Sequence, residues 1–353
     1  MLHMRIVAPQ KEAEQILELF SGNESVCNII HFPGAARRPA GDVILADVAR
    51  EDASVLISDL RELEIPQKGS IAIEEIDTEI SEASRRAEKA APGAPSDAVV
   101  WEEIEARTEE NAELSASFLA FMVLAMLIAA VGIFLDTPIL IVGAMVVGPE
   151  FGPIAGFCVA AVQRRRNLAV RSFLALAVGF PLGITLTWLA TLIFKATGVT
   201  PDVFTEADHT LSNVIASPGF FAFFVALCAG AAGVLSLTSA KSGALIGVLI
   251  SVTTIPAAAN IGVAFAYQDW PAWRGSMLQL AINLGSLLVA GVTVLGIQRY
   301  FYHRRRRLHL RDPSRNRAGL PIGQSRHGKR TLSAGELEGL ERTDRVEGGA
   351  RAR

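Results

Sequence analysis

One acidic residue, Glu150, lies well inside a long apolar stretch of the chain, between Pro149 and Pro153. A comparable charge at the centre of a membrane-spanning helix costs about 2.5–3.5 kcal/mol on insertion scales. We therefore expect this side chain to face protein or water, and to be protonated or paired. The residue type and its position predict binding of a proton or a cation in a cavity made by a helix break. The alternative is that the break brings Glu150 to an aqueous surface, where it is only solvated.

Three polar residues of the later apolar segments are predicted neighbours of Glu150: Thr254, Asn260 and Asn283. For any single one of them, an interhelical hydrogen bond is a sufficient explanation. Together they indicate polar groups that converge near a helix break and coordinate an ion or solute. They specify no metal, and the sequence predicts no cofactor.

Prolines and glycines mark the places where the helices should break. Proline lacks an N–H and clashes with the preceding turn, and glycine tolerates unusual backbone angles. Close helix packing is the competing explanation for the glycines. The predicted break motif consists of Gly143, Gly148, Pro149, Gly152, Pro153 and Gly156, with Pro256 in a later segment.

Long apolar runs occupy residues 115–298 of a chain that is 50% hydrophobic, which is high for a soluble domain. A helix needs about 20 mostly apolar residues to cross a bilayer. This length predicts an α-helical polytopic membrane domain with six spans: Ser115–Leu135, Thr137–Val162, Asn167–Phe194, Pro218–Leu237, Ser242–Tyr267 and Gly275–Gln298.

Basic residues in the short connections predict the orientation, because cytoplasmic loops carry the excess of Lys and Arg. One side holds Arg164, Arg165, Arg166, Lys241, Arg299 and Arg304–Arg307, whereas the other holds only Lys195 and Arg274. We expect a multi-pass plasma-membrane protein with both termini in the cytoplasm. The aromatic and basic segment around Arg304–Arg307 is expected to contact anionic lipid headgroups. A homo-oligomer is a possible assembly, and no nucleic-acid partner is expected.

Residues 1–82 predict a small soluble α+β domain. Strand candidates at Leu2–Ala8, Ser25–Phe32, Asp42–Val48 and Ile71–Ile76 alternate with two amphipathic helices in the order βαββαβ, which is typical of a ferredoxin-like domain. The connection PGAARRPAG suits a hairpin. Near it, His31, Arg37 and Arg38 form either an anion site or, more simply, an exposed basic loop.

The remaining segments are interpreted by composition. Residues 83–114 read as a linker followed by an acidic helix, and residues 299–353 as a basic, mostly disordered cytoplasmic tail. The three cysteines, Cys27, Cys158 and Cys228, lie far apart, and this spacing favours buried apolar side chains over a disulfide or zinc site.

Three stretches resemble a known membrane family. AAVGIFLDTPILIVGAMVVGPEFGPIAG at 129–156, GVLISVTTIPAAANIGVAF at 247–265 and AINLGSLLVAGVTV at 281–294 are similar to motifs of the uncharacterised domain of unknown function 389. The resemblance covers residues 115–300 and implies no catalytic residue. Two positions depart from the family pattern. Glu150 replaces an apolar residue, and Thr254, Ile255 and Pro256 replace a double proline.

Weak internal identities suggest that the membrane domain is duplicated. Pro153 and Pro256 correspond at a spacing of 103 residues, and Gly143 and Gly247 at 104. Three spans followed by three similar spans would form an inverted 3+3 repeat, which places binding sites near interrupted helices.

The sequence leaves two principal functions open. The first is transport or conduction of a small solute or ion, gated by the cytoplasmic domain. The second is a membrane-anchored sensor or scaffold without transport activity. An enzyme is not expected, because the chain has no HExxH or GxSxG motif and no paired intramembrane aspartates.

Overall fold

A computed structural model describes residues 1–76, 78–91, 93, 98–201, 210–238 and 254–326. The chain divides into two compact units. One unit contains residues 1–95 together with residues 302–353, and the other contains residues 96–301.

A four-stranded antiparallel sheet forms the centre of the first unit. Its strands are β1 (Leu2–Ala8), β2 (Val26–Arg37), β3 (Ala40–Val48) and β4 (Ser70–Glu75), in the order β2-β3-β1-β4. Helix α1 (Gln10–Ser21) follows β1, and α2 (Arg50–Glu62) follows β3. A single turn, α3 (Ile65–Lys68), precedes β4. The predicted order of strands and helices is therefore present, with α3 as an addition.

The core of this unit follows the predicted periodicity, with one shift in α1. Alternate residues of β1, including Leu2, Met4 and Ile6, are fully buried. In α1 the i, i+3, i+4, i+7 spacing predicts a buried face of Ala13, Ile16, Leu17 and Phe20, whereas the structure buries Leu19 and leaves Leu17 only partly buried. Leu19 precedes the buried Phe20 in the last turn, so the apolar face is wider there than the simple spacing predicts.

The predicted hairpin connection is mostly strand. β2 continues to Arg37 and β3 begins at Ala40, with an irregular register between Phe32 and Ala36. Such a bulge accommodates extra residues within a paired strand, which explains how the Pro-Gly sequence lies inside β2. His31 does not form an anion site with the two arginines. Its Nε2 lies 2.8 Å from Asp42 Oδ2, and Arg37 and Arg38 are exposed.

A buried ion-pair cluster joins the C-terminal segment to α2, and we call it the clasp: Asp59, Glu62, Arg306, His309 and Arg315. Asp59 and Arg315 are fully buried and paired with each other. Arg306 lies 2.7 Å from Glu62, and His309 Nε2 lies 2.8 Å from Asp59 Oδ2. Burial lowers the pKa of Arg315 to about 10, so the guanidinium stays charged at neutral pH.

The clasp changes the interpretation of the basic tail. Residues Pro313–Arg317 form a helix, and Leu310 and Leu320 are buried, so this part of the segment differs from the predicted disordered tail. Residues 327–353 lie outside the described residues. Arg305 also pairs with Asp52, whereas Arg304 and Arg307 are exposed.

Two helices occupy the segment between the sheet and the first apolar helix. α4 (Glu82–Ala90) lies inside the stretch predicted as a linker, where Ser81 caps its first turn. α5 (Trp101–Asn111) is the predicted acidic helix. Its Glu105 and Glu109 pair with Arg165 within the second unit.

The second unit is built from apolar helices: α6 (Ala116–Phe134), α7 (Pro138–Val147), α8 (Phe151–Gln163), α9 (Arg166–Ala196), α10 (Thr210–Ala216), α11 (Phe220–Thr238), α12 (Ile255–Tyr267) and α13 (Trp270–His309). The last helix, α14 (Pro313–Arg317), belongs to the first unit.

Four of these helices, α6, α9, α11 and α13, are long and apolar enough to cross a membrane. The pair α7 and α8, bent by 51°, makes a fifth candidate. The beginning of the predicted fifth span, residues 242–253, lies outside the described residues, and α12 alone has 13 residues. The structure therefore supports four or five spanning elements of the six predicted.

The helices recur at a fixed spacing of 104 residues. α6 and α11 have 19 residues each, and α8 and α12 have 13 each. α9 begins at Arg166 and α13 at Trp270. The residues that end α8 and α12, Arg164 and Gln268, both have left-handed backbone angles. The boundaries of the helices therefore follow the 104-residue spacing more regularly than the amino-acid identities do.

Two close contacts between helices are equivalent, because each residue of one contact is replaced in the other by its counterpart 104 positions away. Cys158 of α8 lies against Gly291 of α13, where a Cβ would be 2.7 Å from Cys158 Sγ. Gly262 of α12 lies against Thr187 of α9, where a Cβ would be 3.2 Å from Thr187 Cβ. Because Cys158 corresponds to Gly262 and Thr187 to Gly291, these contacts indicate an approximate two-fold relation between the halves.

Candidate functional site

Glu150 lies in the break between α7 and α8 and is fully buried. Helix α7 ends at Val147 and is followed by Gly148, whose N–H donates to the carbonyl of Ala144. Helix α8 begins at Phe151. The two helices are bent by 51° at this break, which contains Pro149. The Glu150 side chain has no exposed surface, so the structure does not support the alternative of a solvated carboxylate.

Among the described residues, one side chain donates a hydrogen bond to this carboxylate. Thr254 Oγ1 lies 2.6 Å from Glu150 Oε1. Within the described part of the chain, Oε2 has no hydrogen-bond partner. A buried acceptor with one neutral donor and one free oxygen is poised to take a proton or to meet a ligand.

Gly148 makes room for the carboxylate. A Cβ at this position would lie 2.4 Å from Glu150 Oε2 and 2.8 Å from Ile255 Cγ1. These distances are too short for any real Cβ contact. The absence of a side chain at position 148 is thus a condition for the observed placement of Glu150 against α12.

Thr254 occupies in the second half the position that Glu150 occupies in the first. Each immediately precedes a 13-residue helix, and neither side chain caps its own helix. The two side chains bond to each other instead. The N-termini of α8 and α12 therefore meet at this point.

The other two predicted neighbours belong to further hydrogen bonds. Asn260 donates to Ser276 Oγ at 2.9 Å and accepts from Ser212 Oγ at 3.1 Å. Asn283 accepts from Gln279 Nε2 at 3.0 Å. All of these side chains are buried. Of the three predicted neighbours, Thr254 bonds to Glu150, and Asn260 joins helices α10, α12 and α13.

The remaining positions of the break motif divide between packing and free space. Gly152 lies against Asn111, and Gly156 lies against Ser172, so both permit close approach. Pro256 lies in the first turn of α12, where a missing N–H costs little. Pro153 is buried early in α8. A Cβ at Gly143 would have no atom of the described residues within 4 Å.

Sequence reasoning missed Ser212, Ser276 and Gln279. For two of them a signal existed, because Ser276, Gln279 and Asn283 follow one another at helical spacings of three and four along α13. Residues at these spacings share one helix face. A polar stripe in an otherwise apolar helix could have been read from the sequence.

The described residues contain no group of three or more His, Cys, Asp or Glu side chains arranged to hold a metal ion. Among the described residues of the second unit, Glu150 is the only buried Asp or Glu. Its neighbouring donors are the Thr254 hydroxyl and its own backbone N–H.

Comparison with known proteins gives a family without an assigned activity. Residues 145–289 match the family model described as a domain of unknown function, DUF389. The chain is also similar to the uncharacterized protein MJ0678 of Methanocaldococcus jannaschii, with 25% identity over 196 residues. That match covers 54% of this chain and 58% of the relative, so it spans less than two thirds of the relative's length.

No solved structure matches the chain. The matched family region contains Glu150, Thr254, Asn260 and Asn283. The family resemblance inferred from the sequence motifs is thus confirmed over residues 145–289, which match the model of the domain of unknown function 389.

Proposed function

We propose that this protein is an integral membrane transporter for a small solute or ion, in which Glu150 binds a proton that is coupled to solute movement. The observation that carries the proposal is the burial of an acid at a helix break, where among the described residues one neutral side chain donates to it and Oε2 has no partner. Ionisable groups inside membrane domains are expensive and are usually retained for function.

A proton fits this position better than a metal cation. Mg²⁺ and Ca²⁺ take six or more oxygen ligands, and in the described region Glu150 is joined by one side-chain hydroxyl. The two helix N-termini beside it also carry partial positive charge, which repels a cation. Protonation of the carboxylate needs neither extra ligands nor a counter-charge.

An inverted repeat is the proposed framework for this site. Three spans followed by three equivalent spans have opposite orientations in the membrane, and many secondary transporters bind their substrates where such repeats meet. The 104-residue spacing of the helices and the exchanged contacts at Cys158 and Gly262 support this arrangement. Glu150 and Thr254 would then lie on the axis between the repeats.

The proposed topology has six spans in the plasma membrane with both termini in the cytoplasm. The first unit would be a ferredoxin-like regulatory domain, which the antiparallel strand order β2-β3-β1-β4 supports. We propose that the exposed Arg304 and Arg307 contact anionic lipid headgroups, because Arg305 and Arg306 are engaged in ion pairs. We also propose a homo-oligomer without a nucleic-acid partner.

Solute uptake by proteoliposomes tests the proposal. The purified protein is reconstituted and assayed against a panel of labelled ions and metabolites, with and without an imposed pH gradient. At least one solute should accumulate only when the gradient is present, and Glu150→Gln should abolish that dependence. If no member of the panel moves above the level of protein-free vesicles, the alternative of a membrane-anchored sensor or scaffold is favoured.

A further inference from the structure

The N-termini of α8 and α12 converge on one buried point. Glu150 immediately precedes α8, Thr254 immediately precedes α12, and a 2.6 Å hydrogen bond joins the two side chains. The backbone N–H of Glu150 also lies beside its own carboxylate. The acidic group therefore lies at the starts of both helices.

Two helix N-termini at one point make an electropositive site. Each helix carries roughly half an elementary positive charge at its start. Pro153 and Pro256 have no N–H and the N–H of Gly152 bonds to the carbonyl of Pro149, so the remaining first-turn N–H groups are those of Phe151, Ile255 and Ala257. Anions bind at such ends, and in transporters the N-termini of interrupted helices face anionic groups of substrates. A convergence of this kind favours negative charge.

The Glu150 carboxylate is a tethered anion at this place. It is fully buried, its Oε2 has no partner among the described residues, and Gly148 leaves the space in which it lies. Within the described residues it meets two neutral donors, the Thr254 hydroxyl and its own backbone N–H. The positive ends of the two helices add partial positive charge beside it.

The packed helices bring no competing charge to this carboxylate. α6, α7, α8 and α12 contain no Asp, Glu, Lys or Arg. In α5, Glu105 and Glu109 pair with Arg165 and Glu103 pairs with Arg107, whereas Glu102 is partly exposed and Glu110 is exposed. In α9, Arg166 and Arg171 are exposed. Among the described residues of the second unit, Glu150 is thus the only buried charged side chain.

We propose that this site takes a small inorganic anion, which replaces the Glu150 carboxylate when that carboxylate is protonated and turns away. Protonation removes the tethered negative charge, and the two helix N-termini are then left without compensation. A small anion that binds in place of the carboxylate again compensates the partial positive charge of the two helix N-termini. The inference rests on the proposed transport function and names the solute class: an anion that moves together with a proton.

Equilibrium binding tests the site without requiring transport. Chloride and nitrate are titrated by calorimetry into the purified full-length protein in detergent, at acidic and at mildly alkaline pH. The wild type should bind one of them more tightly at acidic pH. Glu150→Gln, which removes the tethered charge, should bind the same anion about tenfold more tightly than the wild type at alkaline pH and with no pH dependence. Thr187→Val, another buried site in the same unit, should behave like the wild type.

Three results would overturn the anion assignment. The first is binding of neither anion by the wild type at acidic pH. The second is wild-type anion binding that does not tighten on acidification, which decides the matter even if the Gln variant does not fold. The third is binding of Na⁺ or K⁺ by the wild type that Glu150→Gln abolishes, since this identifies a cation site and leaves the proposed transport function intact. Anion binding as expected, but without flux in proteoliposomes, would instead remove the transport function and keep the site.

Discussion

Thr254 and Glu150 lie 104 positions apart in the chain, and the hydroxyl of Thr254 donates a 2.6 Å hydrogen bond to the carboxylate of Glu150. Each residue immediately precedes one of two equivalent 13-residue helices. A residue that contacts its own repeat equivalent lies on the axis that relates the repeats. A change at either residue should therefore act on both halves of the membrane domain.

Removing the Thr254 hydroxyl should destabilise the protein. Thr254→Val keeps the shape of the side chain but leaves the buried Glu150 carboxyl without its donor, which costs about 1–3 kcal/mol. Thermal unfolding in detergent, followed by tryptophan fluorescence, measures the change. Thr187→Val is the matched control, because Thr187 is equally buried and its hydroxyl has no partner within the described residues. Equal stability losses in the two variants would contradict the assigned contact.

Adding one methyl group at Gly148 should displace Glu150. In Gly148→Ala the new Cβ would lie 2.4 Å from Glu150 Oε2, so the carboxyl group or the start of α12 must move. We expect a loss of stability of about 1–3 kcal/mol, as for overpacked cores, together with altered solute uptake.

Gly143→Ala supplies the comparison for this change, since no atom of the described residues lies within 4 Å of its Cβ position and the residue lies inside α7. Alanine favours helix over glycine by about 1 kcal/mol, so this variant should be as stable as the wild type or more so. Similar behaviour of the two alanine variants would show that the space at position 148 is not needed.

The clasp should hold the C-terminal segment on α2. Asp59→Asn removes a buried charge that pairs with Arg306 and Arg315, and breaking such a pair costs about 3–5 kcal/mol. Hydrogen exchange of residues 313–317 should accelerate strongly. Glu64→Gln, in which an exposed pair with Lys68 is lost, should change exchange little. Unaltered protection of residues 313–317 in Asp59→Asn would contradict the clasp.

Topology can be tested independently of activity. Reporters that require the periplasm should stay inactive when fused after Arg166 or after Arg311, because the excess of basic residues predicts that both points are cytoplasmic. Periplasmic activity at either fusion would reject the orientation. It would also remove the argument that the two halves are inverted.

Local signals predicted much of the fold and part of the site. The break at Pro149 was predictable because proline acts on its own helix turn, and the strands of residues 1–82 because alternation is local. Thr254 was predicted as a neighbour of Glu150 because polar residues gather near the helix breaks that the prolines predict. Asn260 was predicted on the same ground and bonds to Ser212 and Ser276, since helix periodicity does not specify which polar groups meet.

The clasp and the 104-residue spacing of the helices could be recognised only from the structure. Asp59 and Arg315 lie 256 residues apart, and a single arginine in a polar segment carries no sign of burial. The duplication was visible only as a few identities at spacings of 103 and 104. The helix boundaries favour the spacing of 104 residues, because three pairs of helices begin at this spacing whereas few side chains are identical.

Proton movement driven by a solute gradient tests the central claim most directly. A pH-sensitive dye inside proteoliposomes reports the internal pH after an outward or inward solute gradient is imposed. The wild type and the exposed-site variant Glu64→Gln should show a solute-dependent pH change, and Glu150→Gln should show solute flux without it. Undiminished proton movement in Glu150→Gln would remove this residue from the mechanism.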